Sequence, residues 1–282
     1  MKRRLARVQF GFTWLCLLIA VAPAHFCCTA FAEKVDFTFW DKDLKRYVNP
    51  QGLVDYSAWK KKTNNLDRFL SQIATADPSA NETEEKCLLI NGYNAAVLKL
   101  TLDHYPLETI QDIKGTFTEK RFQFRHTRVS LDDLENRLRG KGDPRIHAAL
   151  VSAAVSSCLL RREAYVPTSL DAQLDDQVHI WLSNERWNHF QPEQGRAEVS
   201  AIFKWYEGDF ERNGRTVRDF LRENAPRKYV DFLSHSDYEI AYMPFDWSLN
   251  DQSASTRFYL LSRLWSRVKN WIPFGMKTQP RP

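Results

Sequence analysis

Glu135, His147, Ser152, Ser157 and Cys158 fall within 24 residues of one another. A hydroxyl or thiol near an imidazole, with a carboxylate behind it, is the composition of a nucleophilic site. The imidazole takes the nucleophile's proton, and the acid fixes the imidazole tautomer. In this reading His147 is the general base, Glu135 its orienter, and Ser157 or Cys158 the nucleophile. The segment DPRIHAALVSAAVSSC favours it, because the small residues after His147 leave space above the chain for a ligand. The competing reading is a core histidine satisfied by its neighbours. Eleven positions separate His147 from Cys158, about 16 Å on a straight helix. The two meet only if the chain turns, for example at Ser156.

Asn91 and Asn94 interrupt the apolar run LLINGYNAAVL. An unpaired buried carboxamide costs about 1–3 kcal/mol, so both side chains either brace the fold or line a pocket. In the pocket reading they join Tyr93 in orienting substrate or donate to an oxyanion. Glu135 neighbours Leu131 and Leu138 on a helix face and points either inward or to solvent. Arg145 and Arg161 complete the candidate substrate-binding set, although Arg145 can pair instead with Asp143 or Asp209. His179 and His189 flank a tryptophan-bearing helix end and suit structural or surface positions. No phosphate loop, dinucleotide fingerprint, HExxH, CxxC or GxSxG is present, and neither a metal nor a cofactor is expected.

The elements that must position these residues can be read from periodicity. SAWKKKTNNLDRFLSQIA repeats its apolar residues at helical spacing. Asn81 to Glu84 cap the long apolar helix KCLLINGYNAAVLKLTLDHY, which ends before Pro106. TFTEKRFQFRHTRVS alternates as a short hairpin. Ser130 and Asp133 form a capping box ahead of LDDLENRLR. The stretch around His147 suits a buried strand or a tightly packed helix equally. TSLDAQLDDQVHIWLSN, GRTVRDFLRENAP and RKYVDFLSH read as helices. AEVSAIFKWYEGDF starts as strand and ends as helix, and YEIAYMPFDWSL reads as strand. The sum is a helix-rich α+β domain with a small mixed sheet.

The ends differ from the body. Residues 1–32 carry a basic start, an apolar run and Ala30-Phe31-Ala32, the pattern of a cleaved export leader. An uncleaved anchor is the alternative. Cleavage predicts a periplasmic or secreted protein whose domain spans 33–252, followed by a basic amphipathic tail at 253–282. That tail suits a membrane surface, the protein's own body or another subunit. The formal net charge is +5 for the whole chain. The leader and the tail hold ten basic residues and no acid, which leaves 33–252 near −5. This is not a nucleic-acid-binding balance. Cys87 and Cys158 are the two cysteines outside the leader, and they form either a disulfide or two buried thiols.

Several of these segments together resemble the domain-of-unknown-function 547 family. They are Val54-Asp55-Tyr56, EKCLLINGYNA, SLDDLE, DPRIHAAL with Arg161, SAIFKWYEGDF and FDWSLN, in order from about residue 50 to 250. The resemblance matches Ile90, Asn91, Tyr93 and Asn94 to an Ile/Leu-Asn-x-Tyr-Asn motif. It also matches Glu135 and His147, with Asn136 where a histidine often follows the acid. Ser152 stands for a first cysteine, Ser157 for a second, and Cys158 where proline is usual. A family thiol nucleophile would therefore be lost here, replaced by Ser157 or moved to Cys158. Serine lacks thiolate near neutral pH and would lean harder on His147. Two functions follow. One is an exported hydrolase or acyl-transfer enzyme of thiol-protease-like or transglutaminase-like architecture. The other is a non-catalytic envelope module that binds a small molecule, a peptide or a protein.

Overall fold

Past its first turn, the stretch ETEEKCLLINGYNAAVLKLTLDH is apolar on every side, and such a helix must be enclosed. The computed structural model describes residues 35–78 and 81–253. It encloses this helix between α1 (Thr38–Tyr47), α2 (Tyr56–Trp59) and α3 (Asn64–Thr75) on one side and later elements on the other. The helix itself is α4 (Glu82–His104). Asn81 caps it, its side chain accepting from the amides of Thr83 and Glu84 at 2.9 and 3.1 Å. The expected leader and the basic tail lie outside the described residues. Among those described, no helix is long and apolar enough to cross a membrane.

The run SAWKKKTNNLDRFLSQIA is not one helix. It breaks between Trp59 and Asn64 because polar anchors hold the chain on both sides of Lys60–Lys62. The Trp59 indole donates to Asp43 at 3.2 Å and stacks on Tyr47, and Asn65 donates to the same carboxylate at 2.8 Å. Burial pushes the Asp43 carboxyl up despite these donors.

The hairpin forms as expected, with β1 (Phe122–Phe124) antiparallel to β2 (Thr127–Val129) and Phe122 opposite Val129. Its two-residue turn puts Arg125 and His126 at φ of 48° and 59°. Both residues accept this left-handed geometry because their amides close the end of α3, donating to the carbonyls of Ile73 and Ala74. The Ser130–Asp133 capping box starts α5 (Leu131–Arg139). The stretch after Asp143 is neither of the expected forms throughout. It makes one helical turn, α6 (Ile146–Ala149), then runs extended, with Ala153 at φ 54°.

A second core cluster gathers under α7 (Leu170–Ser183). Ser169 precedes α7 but its side chain makes no capping bond. A mixed sheet follows, in which β4 (Arg196–Val199) pairs antiparallel with β3 (His189–Gln191) and parallel with β5 (Glu239–Tyr242). Around it lie α8 (Ala201–Trp205), α9 (Glu207–Phe210), α10 (Val217–Asn224) and α11 (Val230–Ser234). Trp181 and Phe203 stack at 4.6 Å in its centre. The described residues thus form one helix-rich α+β unit.

The segment YEIAYMPFDWSL is strand only up to Tyr242. Beyond it the chain becomes a strap across the molecule. The Asp246 and Ser248 carbonyls accept from the amides of Ser156 and Val155, Leu249 is bridged to Ala154, and Val54 donates to the Asn250 carbonyl at 2.9 Å. The Tyr56 hydroxyl donates to the Asn250 side chain at 2.6 Å. The strap thereby fixes Phe245 and Trp247 over the junction of the two cores.

Candidate functional site

Six segments meet at that junction around a cleft of about 30 Å³, room for about two water molecules. Tyr93 enters from α4 and Glu135 from α5. His147 enters from α6, Ser152 and Ser157 from the extended stretch, and Trp205 and Tyr206 from α8 and its end. Phe245 and Trp247 of the strap complete the wall. Glu135 faces inward because Leu131, Leu134 and Leu138 of the same face fill the first core, leaving its side chain at their edge.

His147 is oriented by Asp209, not by Glu135. Its Nε2 lies 2.9 Å from Asp209 Oδ2, and both side chains are buried. Asp209 also accepts from Arg139 Nε at 2.5 Å and Arg212 Nη2 at 2.9 Å. Burial works to raise the Asp209 carboxyl. The hydrogen bonds and charges of His147 and Arg139 outweigh it and hold the group well below the ordinary carboxylate range. An ionised carboxylate only accepts, so Nε2 carries the proton, and Nδ1 holds the lone pair in the neutral ring. Among the described residues, no other group hydrogen-bonds the ring. Tyr206 stacks on it at 4.3 Å. Glu135 instead accepts a long hydrogen bond, 3.4 Å, from the Tyr93 hydroxyl.

The two proposed nucleophiles separate. Ser157 lines the cleft, but its Oγ accepts from the Ser152 amide at 2.9 Å and makes no hydrogen bond to His147. Cys158 turns away into the second core, where its thiol donates to the His147 carbonyl at 3.0 Å. Burial pushes that thiol far up, and a thiol that cannot ionise is a poor nucleophile. Cys87 and Cys158 are free thiols, which leaves out the disulfide. Burial raises Cys87 to about 12. Native protein at pH 8 is therefore expected to leave both positions unlabelled by iodoacetamide, and urea-unfolded protein to label both. Peptide mass spectrometry reads this directly, and rapid native labelling of Cys158 would contradict the packing.

Four of the substrate-binding candidates, Asn91, Asn94, Arg145 and Arg161, lie outside the lining of this cleft. Asn91 accepts from the Trp40 indole and the Tyr165 amide, each at 3.0 Å, and donates to the carbonyls of Cys87 and Tyr165. Asn94 donates to the Ala149 carbonyl and accepts from Val151, which holds the end of α6 in place. Both Asn91 N–H groups are taken by backbone carbonyls, and neither asparagine lines the cleft. Arg145 makes three hydrogen bonds to Asp143 and reaches Asp171 and Asp175 on α7. It is a clamp between α6 and α7. Arg161 pairs with Glu163 and Asp176 in a separate, wider depression of about 330 Å³. Of that candidate set, Tyr93 alone lines the cleft.

Asp209, Trp205, Tyr206, Phe245 and Trp247 were missing from the expected site. All lie in SAIFKWYEGDF and FDWSLN, two segments already singled out for their resemblance. The sequence offers Asp209 as a partner for Arg145 alone. The available signal was an acid flanked by Tyr206 and Phe210, aromatic residues that imply burial and hence a buried partner.

Residues 78–182 match the model of a family described as a protein of unknown function, DUF547. That segment is similar to the DUF547 family and spans under half of the chain. It contributes Tyr93, Glu135, His147, Ser152 and Ser157 to the cleft, whereas Asp209 and the aromatic wall lie beyond it. No curated protein and no solved structure matches the chain. Among the described residues, no group of three or more His, Cys, Asp or Glu side chains is arranged to hold a metal ion.

Proposed function

We propose that the cleft is a hydrolytic site in which the Asp209-held imidazole of His147 activates a water molecule against an acyl carbon. The observation that carries this reading is the 2.9 Å His147–Asp209 contact at the wall of a cleft with room for water. Nδ1 removes the proton of a solvent water as its oxygen attacks the acyl carbon, Nε2 keeps its own proton hydrogen-bonded to Asp209, and the imidazolium then returns the abstracted proton from Nδ1 to the alcohol or amine leaving group as its bond to the acyl carbon breaks. Water takes the nucleophile's place because no described hydroxyl or thiol is hydrogen-bonded to the imidazole. Ser157 then serves to hold the Ser152 amide and shape the floor.

The test is turnover of a panel of aryl esters, anilides and short peptides by the purified chain. His147→Asn keeps a polar ring-sized group but removes the base, and is expected to lower kcat by about 10²–10⁴-fold. Ser157→Ala is expected to change it by less than about threefold, since water attacks directly. Undiminished turnover in His147→Asn refutes the proposal, and so does a Ser157→Ala loss as deep as that of His147→Asn. A binding-only cleft is the second reading, and the absence of a hydroxyl or thiol on the imidazole favours it. Under that reading no acyl substrate in the panel is turned over.

A further inference from the structure

Residues 33–252 carry a net charge near −5, yet one side of the body is basic. The helix α1 buries Trp40, Asp43, Leu44 and Tyr47, so Lys42, Lys45 and Arg46 share its outer face. The loop between α2 and α3 adds Lys60, Lys61 and Lys62, all exposed. It lies beside α1, because the Trp59 indole and Asn65 both reach Asp43. On the other flank Asp41 accepts from the Ala164 amide, and the exposed Arg162 donates to the Lys45 carbonyl at 3.1 Å.

Few carboxylates offset these cations. Asp41 pairs with Lys45 at 2.6 Å and neutralises that lysine. Asp43, which feels the charge of Arg46, is buried and taken by Trp59 and Asn65. Asp55 caps α2, and the buried Asp251 accepts from the Tyr105 hydroxyl. Asp36, ahead of α1, accepts from the Thr38 amide and lies within reach of the charge of Arg68. The basic patch ends where Glu163 and Asp176 engage Arg161. Lys42, Arg46, Arg162 and the three loop lysines make no ion pair with any described residue.

The chain also enters and leaves the body at this helix. The expected leader ends at Ala32, and α1 begins at Thr38. At the other end Gln252 donates at 3.2 Å to the carbonyl of Tyr47, the last residue of α1, and the basic tail follows. That tail brings six Lys or Arg, no acid, and the two tryptophans Trp265 and Trp271. We propose that the α1 face, together with residues 253–282, docks on an anionic lipid bilayer. Clustered cations are drawn to anionic headgroups, and tryptophan settles at the boundary between headgroup and acyl chain. Nucleic acids and anionic polysaccharides offer the charge but no apolar phase for the aromatic half of the tail. Two weak contacts hold a protein on a surface that either alone would leave reversibly. The face is separate from the cleft and contains none of its lining residues.

The test is co-sedimentation of the full chain at pH 7 with vesicles of phosphatidylcholine alone or of phosphatidylcholine mixed equally with phosphatidylglycerol. Any apolar attraction of residues 1–32 acts on both vesicles, so the ratio of the two affinities isolates charge. The anionic vesicles are expected to bind about tenfold or more tightly than the neutral ones, a preference lost in about 0.5 M sodium chloride. Reversing three exposed cations together, Lys42→Glu, Lys61→Glu and Lys62→Glu, is expected to weaken anionic-vesicle binding about tenfold or more and leave neutral-vesicle binding unchanged. Arg263→Glu with Arg267→Glu is expected to weaken it as well. Circular dichroism melts identify a variant that fails to fold, and Lys42→Gln with Arg46→Gln carries the test if the triple variant does so. Equal binding to the two vesicles overturns the inference. So does unchanged affinity in the folded α1-face variant, even where the tail variant is weakened. Tighter binding to heparin or duplex DNA than to the anionic vesicles overturns the lipid as partner.

Discussion

Asp209→Ala is expected to lower the unfolding free energy by about 2–3 kcal/mol and to remove His147-dependent activity together with it. The carboxylate is buried and serves three donors, so its loss strands Arg139, Arg212 and the imidazole at once. Breaking a fully buried ion pair costs about 3–5 kcal/mol. The cost here is lower because Arg139 and Arg212 are 34% and 38% exposed and recover water when the acid is gone. Asp209→Asn keeps the shape and isolates the charge. The carboxyl is held below its ordinary value near 3.9, so its contribution is complete above that pH. It is lost as pH falls from there through the lower folded value. Wild-type melting temperature should drop more steeply than that of Asp209→Asn between about pH 5 and pH 2. The comparison between variants also cancels Asp43, whose raised carboxyl acts in the opposite sense. Parallel curves for the two proteins would show that Asp209 is not the charged centre described.

Local rules carried much of the fold. The Asn81 cap, the Ser130–Asp133 box and the alternation of Phe122 and Phe124 are all short-range signals, decided within a few residues, and each element formed where they place it. The misses came where distant polar groups overrode periodicity. Asp43 stops the helix after Trp59, and the strap holds Phe245 to Leu249 extended without a strand partner of regular length. Within the site, Tyr93, Glu135, His147 and Ser157 were readable because each is a polar residue in apolar or small-residue surroundings. Asp209 was not, because nothing local distinguishes a carboxylate that meets an imidazole 62 positions away from one that faces solvent. Cys158 shows the limit from the other side. Its spacing from His147 suggested a dyad if the chain turned, and the chain does turn, but one residue's alternation along an extended backbone aims Ser157 into the cleft and Cys158 into the core.

Asn91→Ala is expected to be among the most destabilising single changes in the chain, by about 3–5 kcal/mol in a urea titration. The side chain is buried on α4 and makes four hydrogen bonds that join three separate segments. Truncation leaves the Trp40 indole and the Tyr165 amide as buried donors without an acceptor, each costing about 1–3 kcal/mol. The Tyr165 carbonyl loses its donor, and a small void adds to the loss. Asn91→Asp separates hydrogen bonding from packing, because its volume is nearly unchanged. An ionised carboxylate still accepts from Trp40 and Tyr165 but sets an oxygen against the carbonyls of Cys87 and Tyr165, which can only accept. The variant must then keep its carboxyl protonated in the folded state, with a pKa above the unfolded value. Its stability is full below the unfolded pKa and falls as pH rises through the folded one. Asn91→Asp should therefore be least destabilised near pH 4, where its single O–H replaces one of the two amide N–H donors, and much weaker at pH 7. A stable Asn91→Asp at pH 7 would mean that shape, not the pairing of donor with acceptor, holds α1 and the Tyr165 segment against the central helix.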